Sequence, residues 1–562
     1  MKNTQHSTKK EWGFMPDPQE MNCYEFLLAA TEQYGDVDLM QHLDRRYRRS
    51  ELIKDIDALA AYMQQELKLK PGDVYSIFMP TTVQGVLAFY ALNSIGVIVN
   101  FIHPLLPPEV VKETLLDVES KGIMVLDILS RKHIDMINEL DLPCVVCQSS
   151  DYASALKGTA LKGPEALVKK IFPKLKKREA YSRIVKSYFG AEKLHNNGED
   201  IATYLNGGGT TGKSKTIMLT SKAINELVKK LNKIDKIEEP GEEAEVIVLP
   251  LFHCFGLCVG IHMALCNAAR IIPLMQFDAK LFNRLVRKNR VVGFGGIPVM
   301  FRKLMNDKKF ECKELSNIRM CFCGGDDVSE AFVDDFNNCL ERNGASGRLR
   351  QGYGLTETCS VCTVNTNWEY RRGSIGKPLH GLRVECWDDE HNRVPNGEVG
   401  EIAISGSTIM AGYYSKGCER GEGLYTDKDG VKWVLSGDLA RQDDDGFFYF
   451  CGRKKRVIII SGYNVYPADI EKELSDLPFI KDISLVKGYQ NGKVIIRCYV
   501  SFKEKGDIEA YKKQIVSLCE DKFSKFSVPR EIVVLDELPQ TPLMKIDFMK
   551  LTQEKPSDPI YG

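Results

Sequence analysis

Between residues 50 and 160, apolar positions recur by turns at helical and at strand spacing. SELIKDIDALAAYMQQELKL has apolar residues three and four apart, which predicts an amphipathic helix with Ser50 as its N-cap. PGD then marks a turn, VYSIFMP reads as a short buried strand, and a further helix leads to the strand-like VIVNFI. Such alternation predicts layered α/β structure around a largely parallel sheet. The stretch 245–325 repeats it, with EVIVLPL, RIIPLM, VVGFGGIP and MCFCGG as strands between helices. From 373 to 450 the texture changes to short β runs between Gly and Pro turns, as in VGEIAISG and GFFYFCG, which predicts a small β-rich subdomain. After Gly452 comes an α+β module: VIIISG, a helix from Ala468, ISLVKG, VIIRCYVSF, a helix near 507–524, and EIVVLDELP. The charged turn Arg453–Arg456 marks the boundary between them. The expected fold is therefore α/β. A large N-terminal domain (1–452) of layered α/β subdomains plus a β-rich one precedes a small α+β C-terminal domain (453–562).

Composition narrows the function classes. At 562 residues the chain is too long for one ordinary core. Lys+Arg and Asp+Glu both total 76, so no global field draws nucleic acid. The 17 cysteines are scattered singly, which predicts reduced, mostly buried thiols. The opening MKNTQHSTKKEWGF has no apolar stretch behind its basic residues, unlike a secretory signal. The longest apolar run, near Ile95–Ile102, contains Asn100 and is too short to span a bilayer. These features lead us to expect a cytoplasmic protein. Residues 167–193 interleave Lys169, Lys170, Lys174, Lys176, Lys177, Arg178, Arg183 and Lys186 with Ile171, Phe172, Leu175, Tyr181 and Phe189. Two readings stand: a solvated helical surface, or a basic amphipathic patch making peripheral contact with the anionic inner membrane surface.

The most informative segment is YLNGGGTTGKSKTIMLT, residues 204–220. Gly207, Gly212, Lys213 and Ser214 fit the spacing of a nucleotide-triphosphatase P-loop, which requires a helix to begin at its lysine. Here TIMLT is β-branched and apolar, and Thr220/Ser221 look like the cap of a later helix, so a strand–loop–strand hairpin is expected. The loop still suits phosphate. Gly208, Gly209 and Gly212 let backbone N–H groups approach oxyanions, Thr210 and Thr211 add hydroxyls, and Lys213 and Lys215 add positive charge.

GGGTTGKSK resembles the phosphate loop of the adenylate-forming (AMP-binding) enzymes, with Ser214 where Pro is usual and Thr216 where Gly is usual. The resemblance runs from about residue 50 to 550, with the motifs in the family's order. CGGDD (323–327) is similar to the loop where backbone groups, here at Gly324 and Gly325, contact adenine; Asp326 and Asp327 replace small residues. QGYGLTET resembles the adenine- and metal-binding segment, spanning Gln351, Gly352, Tyr353 and Gly354. The resemblance implies Tyr353 as a flat face for the purine, Thr356 as a donor to the α-phosphate and Glu357 as an oxygen ligand for Mg²⁺. LSGDLA implies Asp438 as the ribose-binding carboxylate.

GRKKRVIIISGYNVYPADIE (452–471) most resembles the fatty-acid CoA ligases. It implies Arg453 as a ribose or phosphate contact, Lys455 as the hinge of a mobile C-terminal domain, and Gly462 and Tyr463 on a loop turned toward the thiol. Arg456 stands where Asp is usual. LPQTPLMKID resembles the C-terminal lysine motif and implies Lys545 as the catalytic lysine, with Met544 in place of glycine. LPLFHCFGL resembles the acyl-pocket gate, which places His253 and Phe255 beside the acid. Around GFGGIPVM, Gly295 and Gly296 leave room for an apolar chain. No carboxylate is expected in these pocket segments, which favours a medium or long fatty acid over an amino acid.

The implied reaction uses ATP and Mg²⁺ to make an acyl-AMP, then transfers the acyl group to CoA. Loading of a carrier-protein phosphopantetheine and a non-catalytic nucleotide-binding role remain as alternatives.

Overall fold

The computed structural model describes residues 15–127, 131–153, 175–207, 215–326, 328–415, 421–460, 463–490, 493–504, 506–540 and 546–553. Two large sheets dominate it, each with a parallel centre. In the first, the order is Lys377–Pro378, Thr363–Val364, Leu349–Tyr353, Met320–Cys323, Arg290–Gly296, Glu243–Ile247, Arg270–Pro273, Asp38–His42 and Arg45–Arg48. Its strands from Leu349–Tyr353 to Asp38–His42 are parallel. The second runs Gly412–Tyr414, Thr216–Thr220, Ile201–Asn206, Ile98–Ile102, Val74–Phe78, Ile123–Leu126, Cys144–Cys147 and Arg178–Ala180. Its inner strands, such as VYSIF and IVNFI, are buried at every position, which explains their mostly apolar runs; the two polar residues in them meet, Asn100 Nδ2 donating to Ser76 Oγ at 2.9 Å.

An antiparallel sheet of five strands, built on Val399–Ser405 and Lys432–Gln442, forms the β-rich part. A last sheet pairs Ile480–Gln490 with Lys493–Phe502 and Glu531–Val534. It packs with helices Pro467–Ser475 and Ile508–Lys522 around its own apolar cluster, including Ile470, Leu474, Ile496 and Ile515.

Several local expectations are met and two are corrected. The glycine loop lies between antiparallel strands Ile201–Asn206 and Thr216–Thr220, and a helix begins only at Ser221. Thr220 is that helix's N-cap, accepting from the Ala223 N–H. Where a P-loop would continue as a helix, the described residues Thr216–Thr220 form a strand.

The helix predicted from Ser50 spans Arg49–Gln65, and Arg48 is its N-cap. Asp36 takes both the Ser50 N–H and its hydroxyl, at 2.8 and 3.0 Å. Glu51 accepts the Arg48 N–H at 3.0 Å, so two carboxylates do what the Ser50 side chain was expected to do.

The second correction concerns 167–193. Lys169, Lys170, Ile171, Phe172 and Lys174 lie outside the described residues. The described remainder holds a strand, Arg178–Ala180, and a short helix, Tyr181–Ser187, rather than a continuous helical surface. Of its described apolar residues, Leu175, Tyr181 and Ile184 are buried and Phe189 is exposed, at 80%. Among the described residues no helix is long and apolar enough to cross a membrane. The described cysteines form no disulfide, and all but Cys312 are buried.

Candidate active site

In the first sheet, four adjacent parallel strands end on the same side, and each hands its chain to a candidate segment. Glu243–Ile247 leads into LPLFH, Arg290–Gly296 ends on Gly295 and Gly296, Met320–Cys323 runs into Gly324 and Gly325, and Leu349–Tyr353 ends on Gln351, Gly352 and Tyr353. The carboxyl ends of parallel strands are where open α/β sheets bind ligands, because the loops there diverge and leave a crevice.

The antiparallel sheet supplies the second wall. Its strands Lys432–Gln442 and Phe448–Arg453 pair Asp438 directly with Arg453. Asp438 is buried, and its Oδ1 lies 2.9 Å from Arg453 Nε. Its Oδ2 accepts the Tyr353 hydroxyl at 2.7 Å. Burial first, and the Asp438 charge second, hold the Tyr353 phenol well above its ordinary pKa, so it stays a donor. The ring of Phe450 lies 6.1 Å from that of Tyr353. Three residues remote in sequence thus meet as a phenol, a carboxylate and a guanidinium. Arg453 is half exposed and Asp438 is not, so the charge pair opens toward solvent on one side only.

The turn after Tyr353 is forced. A Cβ on Gly354 would run into the Ser360 carbonyl. Cys359 and Ser360 have φ of 57° and 111°, unusual for residues with side chains, and both are buried. This tight turn carries Thr356 and Glu357. Glu357 Oε1 accepts the Tyr413 hydroxyl at 3.0 Å, and its backbone carbonyl accepts the Met410 N–H at 2.8 Å. Lys215 Nζ stands 4.2 Å from the centroid of the Tyr413 ring. The second sheet therefore reaches the site through Tyr413, whose phenol is also raised, by burial and then by Glu357. Among the described residues no group of three or more His, Cys, Asp or Glu converges on a metal position. Glu357 suits a single oxygen contact to a hard cation carried in with nucleotide phosphates.

LPLFH is tied to the same turn by Cys254, whose Sγ is 3.5 Å from Thr356 Oγ1. Burial pushes this thiol up to about 11, so it is a packed spacer and no nucleophile. His253 is exposed, and its Nδ1 accepts the Phe255 N–H at 3.3 Å. Phe255 begins a π-helical segment, Phe255–Met263. The room expected above the two glycines is already occupied. A Cβ on Gly295 would meet Phe255 at 3.1 Å, and one on Gly296 would meet Phe301 at 3.0 Å. Gly324 approaches the other edge of Phe255, at 3.5 Å for an added Cβ. Behind Phe255 is a small cavity of about 20 Å³ lined by Val259, Met263, Gly295, Met320, Phe322 and Glu245.

Other candidate residues lie apart or outside. Lys455 is exposed in the turn Lys454–Arg456. Its neighbour Lys454 pairs with Asp389 and Glu401 at 2.8 and 2.7 Å. Arg456, in the place of an expected aspartate, pairs with Glu471 and lies 5.0 Å from the Phe548 ring centroid. Tyr463 is exposed and stacks on Phe526, with centroids 4.4 Å apart. Gly208, Gly209, Thr210, Thr211, Gly212, Lys213, Asp327, Gly462, Met544 and Lys545 lie outside the described residues. Sequence reasoning missed Tyr413, for which the sequence carries no signal. It also missed Glu245, which did leave one: two glutamates in the otherwise apolar run EAEVIVL.

The chain is similar to known proteins over most of its length. The family model described as AMP-binding enzyme matches residues 28–414. A long-chain-fatty-acid–CoA ligase of Escherichia coli O6:H1 is 28% identical over 558 residues, covering 96% of each chain. One from Bacillus subtilis is 26% identical over 94% of each. Among solved structures, o-succinylbenzoate CoA synthetase from Bacillus subtilis, in complex with its acyl-adenylate intermediate, superposes with a TM-score of 0.77 at 19% identity, covering 95% of this chain and 99% of that one. A benzoate CoA ligase from Burkholderia xenovorans also gives 0.77, at 20% identity, covering 95% and 100%. With most of its length matched by the family model, and with phenol, carboxylate and strained turn gathered at the ends of one parallel sheet, this chain belongs to the AMP-binding enzyme family.

Proposed function

We propose that the protein is an AMP-forming acyl-CoA synthetase that activates a medium- or long-chain aliphatic carboxylic acid with ATP and transfers the acyl group to CoA. The observation that carries this reading is the meeting of Tyr353, Asp438 and Arg453 with the Thr356–Glu357 turn, beside an aromatic-walled cavity behind Phe255. The long-chain-fatty-acid–CoA ligases to which the chain is similar over nearly its full length support the choice of acid and thiol.

Each residue's part follows from its chemistry. Asp438 accepts the Tyr353 hydroxyl on Oδ2 and pairs by charge with Arg453 through Oδ1, and a carboxylate has about four acceptor positions, so it can still receive two ribose hydroxyls. The Tyr353 ring offers its face to adenine. Attack of the substrate carboxylate on the α-phosphorus forms the mixed anhydride as the bond to the bridging oxygen breaks and pyrophosphate leaves. Charge builds on the phosphoryl oxygens in that step, where Thr356, the 208–213 loop and Lys545 act as donors and cations. Glu357 would hold magnesium, which would supply neutralisation of phosphate charge. The CoA thiolate then attacks the acyl carbon and AMP departs.

Lys545 would obstruct that second attack. In our reading, residues 453–562 rotate about Lys455 between the two steps and bring Gly462 and Tyr463 to the thiol.

Carboxylate-dependent ATP–pyrophosphate exchange tests the first half, and thioester formation with free CoA the second. Exchange absent across acids from acetate to oleate would sink the reading. Lys545→Ala should slow adenylation by about a hundredfold or more yet still make thioester from supplied acyl-adenylate. Equal loss in both steps would rule out alternation.

A further inference from the structure

Glu245 sits in the middle of the parallel strand Glu243–Ile247, flanked by Ile271 and Gly293 on the neighbouring strands. It is 7% exposed, and no hydrogen bond reaches its carboxyl among the described residues. Its neighbour in sequence, Glu243, is also buried, but binds Arg319 through both oxygens at 2.9 and 2.7 Å. The strand alternates, so these two carboxylates lie on the same face. One is fully engaged and the other is left facing the cavity. Everything else lining that cavity is apolar or glycine.

Burial, reinforced by Asp235, pushes Glu245 up to about 8, so it is a neutral carboxylic acid at pH 7. A neutral acid both donates and accepts, and a buried one without partners is costly. A cavity of about 20 Å³ has room for one water-sized group beside it. Its walls include Met263 and Met320, flexible thioethers that can make way for a chain. Phe255 lines this cavity and directly follows Cys254, whose Sγ touches Thr356, so an acyl chain that enters past the Phe255 ring would have its far end beside Glu245.

We propose that Glu245 is a specificity-determining residue that hydrogen-bonds the distal end of the acid, and that the enzyme prefers an aliphatic acid ending in a hydroxyl to the methyl-ended acid of equal length. This rests on the reading that the cavity behind Phe255 receives the acyl chain. A methyl terminus would leave the buried carboxyl unpaired, whereas a terminal hydroxyl gives to it and takes from it.

The test is calorimetric binding of matched acids, octanoate to hexadecanoate and their ω-hydroxy counterparts, to the full chain and to Glu245→Leu and Glu245→Gln. At the length that reaches Glu245, the hydroxy acid should bind about tenfold more tightly or better. The preference should vanish or invert in Glu245→Leu and persist in Glu245→Gln. Leucine in place of an unpartnered buried carboxyl should not harm folding. A hydroxyl preference absent at every length, or undiminished in Glu245→Leu, would overturn the proposal. Binding needs no turnover, so pyrophosphate exchange on the same acids separately judges the synthetase reading.

Discussion

Replacing Asp438 with asparagine keeps the side chain's shape while removing its charge and one of its acceptors. In the native site Oδ2 takes the Tyr353 hydroxyl at 2.7 Å and Oδ1 faces Arg453 Nε at 2.9 Å. An amide can satisfy only one of these donors, and its nitrogen must then face the other. A hydrogen bond to a charged partner contributes about 1.5–3 kcal/mol. Arg453 is half exposed, so solvent screens its ion pair with Oδ1, which contributes at most about 1 kcal/mol. The ribose hydroxyls would lose the same charged acceptor. Affinity for AMP should therefore fall by about tenfold to a hundredfold. The assay is calorimetry with AMP and with 2′-deoxy-AMP on both proteins, and a urea melt checks folding. In the native protein the missing hydroxyl should weaken binding, and in Asp438→Asn that penalty should shrink. Wild-type affinity for AMP in the variant, or a deoxy penalty of equal size in both, would refute a ribose-binding Asp438.

Two further predictions concern stability. Gly354→Ala puts a methyl into the Ser360 carbonyl, so the Thr356–Glu357 turn must move; we expect a loss above about 4 kcal/mol in a urea melt and no exchange activity. Gly397→Ala, at φ 87° with open space around it, is the control and should cost only about 1–2 kcal/mol. His262 is buried between the Tyr90 hydroxyl and Asn225 Oδ1, at 3.0 and 2.9 Å, and burial lowers it to about 3. Its unfolded form takes a proton below about pH 6.5, so stability should fall as pH drops from there toward 3, by about 1.4 kcal/mol per unit. His262→Gln should flatten the dependence of the urea midpoint on pH, and an unchanged slope would show that other groups govern it.

Much of the fold was legible because periodicity is local. The mostly apolar VYSIF and IVNFI announce strands buried on both faces, and β-branched TIMLT after the glycine loop forms a strand where a P-loop would continue as a helix. The N-cap of Arg49–Gln65 was misread because the carboxylate that binds Ser50 comes from a preceding turn, beyond the reach of a cap rule. The candidate site was legible as a set of residues in order along the chain, among them Tyr353, Glu357, Asp438 and Arg453.

What the sequence alone determined was thus the run of strands and helices and the chemistry available at their ends. Only the tertiary structure decided which of those ends meet. Asp438 reaches Tyr353 because two different sheets abut, Tyr413 reaches Glu357 from a third, and Phe255 and Phe301 fill the space expected above Gly295 and Gly296. Glu245 reads in sequence as an oddity in an apolar strand. Its meaning comes from having no partner where Glu243 has Arg319, and that depends on side chains some seventy residues farther along the chain. Spacing specifies a local period, but complementarity between distant surfaces depends on how the sheets pack.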